Sequence, residues 1–232
     1  MNPLRLPLAS AKDRLRQVIP RTLWNFLKSF SDPVRLAFWK VRHTLTGSNL
    51  RRPVVRETSK ARERREREGF FAAYCTGRGL DIGYGGDLLA PNCDPWDVEH
   101  GDAQTLSGVA DAQYDFVYSS HTLEHLPDQT IALRSWWRVL RPGGYLLLYL
   151  PHRDLFEKKQ TLPSRWSAEH KRYYLPDRDD PPDTYGIGPL LGTLFPEGTL
   201  VSVRECSAGH TVRDPRSHSD GEYSIEVVVQ KV

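Results

Sequence analysis

Cysteine is scarce in this chain of 232 residues: Cys75, Cys93 and Cys206 are all there is. Their spacing suits neither a disulfide framework nor a metal knuckle, which excludes a small disulfide-stapled fold and points to a reducing compartment. Long apolar runs are lacking too. None approaches the ~18 residues of a membrane-spanning helix. Pro3, Arg5, Pro7, Lys12 and Asp13 interrupt the start of the chain, so no signal peptide is expected there. The expected location is cytoplasmic. Two nucleotide-linked motifs are also missing. No Gly-x-Gly-x-x-Gly fingerprint of a dinucleotide fold is present, and no Asn/Asp-Pro-Pro-Tyr/Phe tetrapeptide of base-methylating enzymes.

What is present is unevenly charged. Residues 1–67 carry 17 Lys and Arg against 5 Asp and Glu, a balance of +12. Residues 68–232 carry 15 against 24, a balance of −9, and the two sum to the net +3. An acidic body disfavours a nucleic-acid backbone as partner. Two domains follow: a basic amphipathic helical extension over 1–56 and a main domain over 57–232. In the extension, Leu23, Trp24, Phe26, Leu27 and Phe30 follow a capping Thr22, and Asp32-Pro33 opens a further helix. A basic, Trp-bearing surface of this kind fits peripheral contact with anionic lipid at the inner membrane face, or docking on a partner enzyme. A helix over Thr58 to Tyr74, capped by Thr58 or Ser59, carries the mixed-charge run Lys60 to Glu68. That run reads as a solvated face.

From Leu80 the pattern alternates strand and helix. Strands are expected at Gly79–Ile82, Ala90–Cys93, Tyr114–Tyr118, Tyr145–Leu150, Leu200–Glu205 and Tyr223–Gln230, with Val98–His100 the weakest. Helices are expected near His121–Leu126 and Thr130–Leu140. This predicts an α/β fold, a three-layer α/β/α sandwich. In such sheets ligands sit beyond the carboxyl ends of the strands. There the chain reads Gly79-Leu80-Asp81-Ile82-Gly83-Tyr84-Gly85-Gly86-Asp87, then Cys93-Asp94-Pro95, Gly101-Asp102-Ala103, Ser119-Ser120-His121-Thr122-Leu123-Glu124-His125 and Leu140-Arg141-Pro142-Gly143-Gly144.

Over about 80–230, that series resembles the class I S-adenosylmethionine-dependent methyltransferases, with a type 11-like methyltransferase domain. The resemblance implies a mostly parallel seven-stranded Rossmann-like sheet with its last strand antiparallel, and S-adenosyl-L-methionine as cofactor. It implies that Gly83, Tyr84 and Gly85 pass beneath the cofactor and that Asp81 holds the loop amides or meets the methionine end. Asp94 would take the ribose hydroxyls, with Asp97 as the alternative. Asp102 and Ala103 would meet the adenine, and Ser119 and Ser120 would lie beside the sulfonium.

For the acceptor, His121, Glu124 and His125 fall at i, i+3 and i+4, one face of a helix after the fourth expected strand. His170 follows the fifth. The set resembles the ligands of two metal-dependent O-methyltransferase groups, the small-RNA ribose 2′-O-methyltransferases and the ubiquinone-pathway catechol O-methyltransferases. It departs from them in having His121 where the former have Glu. Three readings stay open: a divalent metal held by His121, Glu124, His125 and His170; metal-free base catalysis by His121, His125 or His170; and a purely structural Glu-His pair. Trp166 and the polar segment Pro151 to Trp166 suit a carbohydrate, and this segment resembles bacterial methyltransferases associated with surface polysaccharides. The expectation is O-methylation of a glycan or other small hydroxylated metabolite. The rivals are methylation of an RNA ribose or of protein, and a non-catalytic binding scaffold.

Overall fold

The computed structural model describes residues 56–232. The extension expected over 1–56 lies outside them except for Arg56. Eight strands are formed: β1 (Gly79–Ile82), β2 (Cys93–Trp96), β3 (Tyr114–Ser120), β4 (Leu140–Pro151), β5 (Tyr173–Leu175), β6 (Thr184–Gly186), β7 (Thr199–Cys206) and β8 (Ser224–Gln230). Six make one sheet in the order β2-β1-β3-β4-β8-β7, while β5 and β6 form a small parallel pair of their own. Only β8 opposes its sheet neighbours. The α-helices of the described residues are α1 (Glu57–Lys60), α2 (Arg62–Arg67), α3 (Phe70–Tyr74), α4 (Gln129–Val139) and α5 (Ile187–Leu194). None of the described helices is long and apolar enough to cross a membrane.

The three layers follow from strict alternation along the strands. Leu80, Ile82, Val117, Leu146, Leu148, Val227 and Val229 face one way, against Leu133, Trp136 and Trp137 of α4 and Ile187 and Leu191 of α5. Phe116, Tyr118, Leu147, Tyr149 and Val228 face the other, against Ala61 and Phe70 from the N-terminal helices.

Six strands replace the expected seven because Val98–His100 forms a turn. Asp97 draws the chain around itself: its Oδ1 accepts from the Val98 amide, and its carbonyl accepts from the amides of His100 and Gly101. The second strand also begins three residues later than expected, since Ala90 to Asn92 turn, with the Cys93 amide bonded to the Ala90 carbonyl. The single helix expected from Thr58 to Tyr74 is three short helices, the last broken off by Gly69 at φ 71°. Neither Thr58 nor Ser59 is its cap.

The mixed-charge run is solvated only in part, at Glu63, Glu66, Arg67 and Glu68. Arg64 and Arg65 are buried, Arg65 completely. Arg65 Nε donates to Glu226 Oε2 at 2.7 Å and its Nη1 to the Tyr118 hydroxyl at 3.1 Å. Arg64 bonds Glu222 and Glu226, and the Tyr149 hydroxyl bonds Glu222. Burial alone would raise the Glu226 carboxyl; Arg65 and Arg64 override it and hold it at about 2. Periodicity could not show this, because the carboxylates that claim these arginines stand some 160 residues further on, on β8 and just before it.

Arg65→Met leaves Glu226 short of a buried partner and should cost about 3–5 kcal/mol in urea unfolding. Arg204→Ala, at a half-exposed member of the same network, should cost about 1 kcal/mol or less.

Candidate functional site

Strands β1, β2, β3 and β4 all end at one edge, and the polar residues gather there. After β1 the chain turns through Gly83 (φ 73°), Gly85 (φ 53°) and Gly86 (φ 86°). Glycine is required at the first of these: a Cβ at Gly83 would collide with the Thr122 hydroxyl. The Gly83 amide donates to the Trp96 carbonyl at 2.7 Å, which ties the turn to the end of β2. Asp81 lies beneath, fully buried, and accepts from the Leu89 amide at 2.7 Å. Burial pushes its carboxyl up to about 8. Of the two roles expected for Asp81, holding the loop is the one seen. Tyr84 sits on the turn with its ring 6.4 Å from that of His100.

Asp94 is not at this edge. Because β2 runs Cys93–Trp96, Asp94 lies near its start, bonded to Arg78 and, at 3.0 Å, to the Tyr114 hydroxyl. Asp97 stands where Asp94 was expected, and its Oδ2 accepts from the Gly85 amide at 3.1 Å. Asp102 caps its own turn by accepting from the Gln104 amide and the Thr105 hydroxyl, and the Ala103 carbonyl accepts from Trp136 Nε1. Ser119 donates to the Ile82 carbonyl, while the buried Ser120 hydroxyl has no hydrogen-bond partner. Trp96 Nε1 has none either. Trp96 is a residue that sequence reasoning missed.

The expected helix at His121–Leu126 is one 3-10 turn, Leu123–His125. His121 precedes it at φ 48°, a conformation rare outside glycine and frequent at functional sites. The shared helical face therefore breaks. Glu124 and His125 point to His170, and His121 points elsewhere. Ligand atoms of Glu124, His125 and His170 lie within 4.8 Å of one another. Glu124 Oε1 is 3.7 Å from His125 Nε2 and 3.8 Å from His170 Nε2. The His125 and His170 rings meet edge to face at 4.7 Å.

His170 reaches this place because Arg172 donates to the carbonyls of Leu123, Leu126 and Pro127, and the Lys171 amide donates to the Glu124 carbonyl. Its Nδ1 is 2.7 Å from Glu157 Oε1. Glu157 is buried on the π-helical turn Arg153–Glu157 and is held by the Ser164 hydroxyl. A proton on Nδ1 for Glu157 leaves the Nε2 lone pair facing Glu124. Glu157 was also missed; its signal was a carboxylate directly after the fifth expected strand.

Both carboxylate oxygens of Glu124 are buried without a hydrogen-bond partner. Burial pushes this carboxyl up to about 7. A buried carboxylate facing imidazole lone pairs needs a proton or a cation between them. Metal–ligand distances near 2.1 Å set ligand atoms about 3.4 Å apart in a tetrahedral site, close to the spacings found. Two imidazoles and one carboxylate suit Zn²⁺, Mn²⁺ or Fe²⁺. The donor set thus fits a metal through three residues, without His121.

His121 has its own surroundings. Its Nε2 is 2.8 Å from Ser224 Oγ and 3.9 Å from Glu57 Oε2, and its ring packs near Tyr149, Phe156 and Tyr223. Burial pulls its pKa down to about 4, so the ring is neutral at pH 7. Trp166 is half-buried, its Nε1 donating to the Phe156 carbonyl and its ring near His218.

The methyltransferase-domain family matches residues 79–148, the stretch that holds the glycine turn, Asp97 and the Glu124-His125 pair. A protein of Mycolicibacterium smegmatis named a "probable S-adenosylmethionine-dependent methyltransferase" is 37% identical over 67 residues, 29% of this chain and 26% of that protein. Trans-aconitate 2-methyltransferase of Deinococcus radiodurans is 43% identical over 53 residues, 23% of this chain and 19% of that enzyme. The matches thus span about a quarter or less of these curated relatives. Among solved structures, the N-methyltransferase NodS of Bradyrhizobium japonicum superposes at a TM-score of 0.45 and 16% identity, over 74% of this chain and 96% of that one.

Glu124 supplies a pH test of the cluster in chelator-treated protein. Its carboxyl is raised in the folded state, so stability is lost as pH climbs from about 4.5 to about 7. Glu124→Gln removes that loss. The variant should be more stable than the parent at pH 8, by up to about 3 kcal/mol in urea unfolding, and indistinguishable near pH 4.

Proposed function

We propose that the protein is an S-adenosylmethionine-dependent O-methyltransferase whose acceptor is a hydroxyl of a sugar, glycan or similar small polyhydroxylated metabolite. The cofactor would lie over the Gly83–Gly85 turn, with Asp97 taking the ribose hydroxyls and Asp102 and Ala103 beside the adenine. Support for that placement comes from the positive φ angles of the turn, which bring backbone close to a ligand, and from Asp97 at the end of β2. Methyl transfer is an in-line displacement, so the protein must align an oxygen lone pair with the methyl carbon and relieve that oxygen of its proton.

The observation that carries the choice of oxygen is Glu124, a buried carboxylate with no hydrogen bond, facing His125 and His170. These three side chains would hold a divalent cation, and Glu157 would fix the orientation of His170. A cation there lowers the pKa of a bound hydroxyl and orients a vicinal diol. A diol-bearing acceptor explains why the cluster sits one 3-10 turn from the end of β3. Trp166, half-buried beside Phe156, offers ring surface for the apolar face of a sugar.

Calorimetry with S-adenosylmethionine should show binding. Asp97→Ala should weaken it about ten- to hundredfold, the loss of hydrogen bonds to a charged group, while Asp94→Ala should leave it unchanged. Incubation with a panel of nucleotide sugars and glycans should add one methyl by mass spectrometry, and chelation should abolish that gain. Cofactor binding with no methylation of any compound would favour the scaffold reading. Full activity after chelation would remove the cation.

A further inference from the structure

A second polar cluster lies at the same edge, and the chemistry proposed above does not use it. Helix α1 brings Glu57 over the end of β3. Its Oε1 is saturated, accepting from Lys60 Nζ at 2.9 Å and from the Tyr223 hydroxyl at 2.5 Å. Its Oε2 is buried, has no hydrogen-bond partner and stands 3.9 Å from His121 Nε2. An isolated charge in this position would be costly. Burial works to raise this carboxyl, yet the Lys60 ammonium and the hydrogen bonds from Lys60 and Tyr223 hold it below the usual carboxylate range. The site therefore pairs an ionised oxygen that lacks a donor with a neutral imidazole. An oxygen atom about 2.8 Å from each would bridge the two groups. Ser120, also unpartnered, precedes His121 at the same strand end.

The placement of α1 is built rather than incidental. Asp87, at the close of the glycine turn, accepts from the Ser59 amide at 2.9 Å and from its hydroxyl at 2.5 Å. Arg62 donates to the carbonyls of Leu88 and Leu89. Arg56 lies across the turn, its Nη1 2.8 Å from where a Cβ on Gly85 would stand. Arg64 and Arg65 of α2 lock the same segment to Glu226. The loop that would carry the cofactor thus also positions the helix that carries Glu57. Phe156 links the two clusters, its ring 6.1 Å from His121 and 5.8 Å from His170.

We propose that Glu57 is a catalytic residue that binds the acceptor: its Oε2 accepts a hydrogen bond from the reacting hydroxyl beside His121 and takes its proton. The inference rests on the O-methyltransferase reading and deepens it. As the methyl carbon bonds the acceptor oxygen, the carbon–sulfur bond breaks and its electron pair stays on sulfur, giving S-adenosylhomocysteine. The acceptor O–H bond breaks and the proton passes to Glu57 Oε2, the atom that accepts its hydrogen bond. Besides Glu57, the charged and titratable groups around His121 are Lys60 on α1, Tyr149 on β4, Tyr223 before β8, and His125 and His170 across the edge.

The test uses the full chain and whichever compound of the nucleotide-sugar and glycan panel the parent protein methylates. Glu57→Gln should lower kcat by about a hundredfold or more, with S-adenosylmethionine affinity within twofold of the parent by calorimetry and an unchanged melting temperature. Added formate should restore part of the activity of Glu57→Ala, which a purely structural role would not allow. Parental kcat in Glu57→Gln overturns the proposal. So does a loss of kcat matched by an equal loss of S-adenosylmethionine affinity, which would make Glu57 a cofactor residue. A parent protein that binds S-adenosylmethionine and methylates nothing overturns the reading beneath, and the inference with it.

Discussion

Glu226 is a carboxylate in the middle of β8, almost fully buried on the face that the N-terminal helices cover. It survives there because Arg64, Arg65 and Arg204 all reach it. A buried charge without such partners would be strongly destabilising, so this contact sets where α2 can lie. Once α2 is placed, α1 must cross the carboxyl edge of the sheet, and Glu57 arrives beside His121. Arg65 also stacks on Tyr118 and Tyr149, whose strands end at the polar edge. One ionic contact therefore connects the helical layer to the site.

The edge itself shows how one type of side chain takes two roles by environment. His121 and His170 both pack near Phe156 and both stand near a carboxylate. His170 has Glu157 within hydrogen-bond distance and is oriented by it. His121 has only Ser224 that close, with Glu57 further off, and burial keeps it neutral. Glu57 and Glu124 differ in the opposite sense. Each has buried oxygen without a donor, but Lys60 keeps Glu57 ionised, whereas desolvation raises Glu124. Carboxylates pushed apart in this way are what an acid–base site requires.

Much of the sheet was readable from the chain. The apolar blocks at Leu80, Phe116 and Leu146 are β-rich and bounded by turns, and alternation along them predicts two covered faces. The glycine turn after β1 was legible because few other residues tolerate its backbone. Asp94 was misplaced for a local reason. The apolar run before it forms a turn, which moves β2 three residues along and leaves Asp97 at the edge. Val98–His100 failed as a strand because Asp97 collects its amides. Neither event leaves a mark in hydrophobic periodicity.

What the sequence determined by itself is what depends on neighbours along the chain: most strand positions, the glycine turn, and a Glu-His pair after β3. The tertiary structure decided which distant groups meet. His121 leaves the Glu124 cluster because its own backbone turns left-handed. His170 joins that cluster because Arg172 gathers the carbonyls of the 3-10 turn. Arg65 is buried rather than solvated because Glu226 waits on a strand 161 residues later. Charge neutralisation across such separations is settled by packing, and no local pattern encodes it.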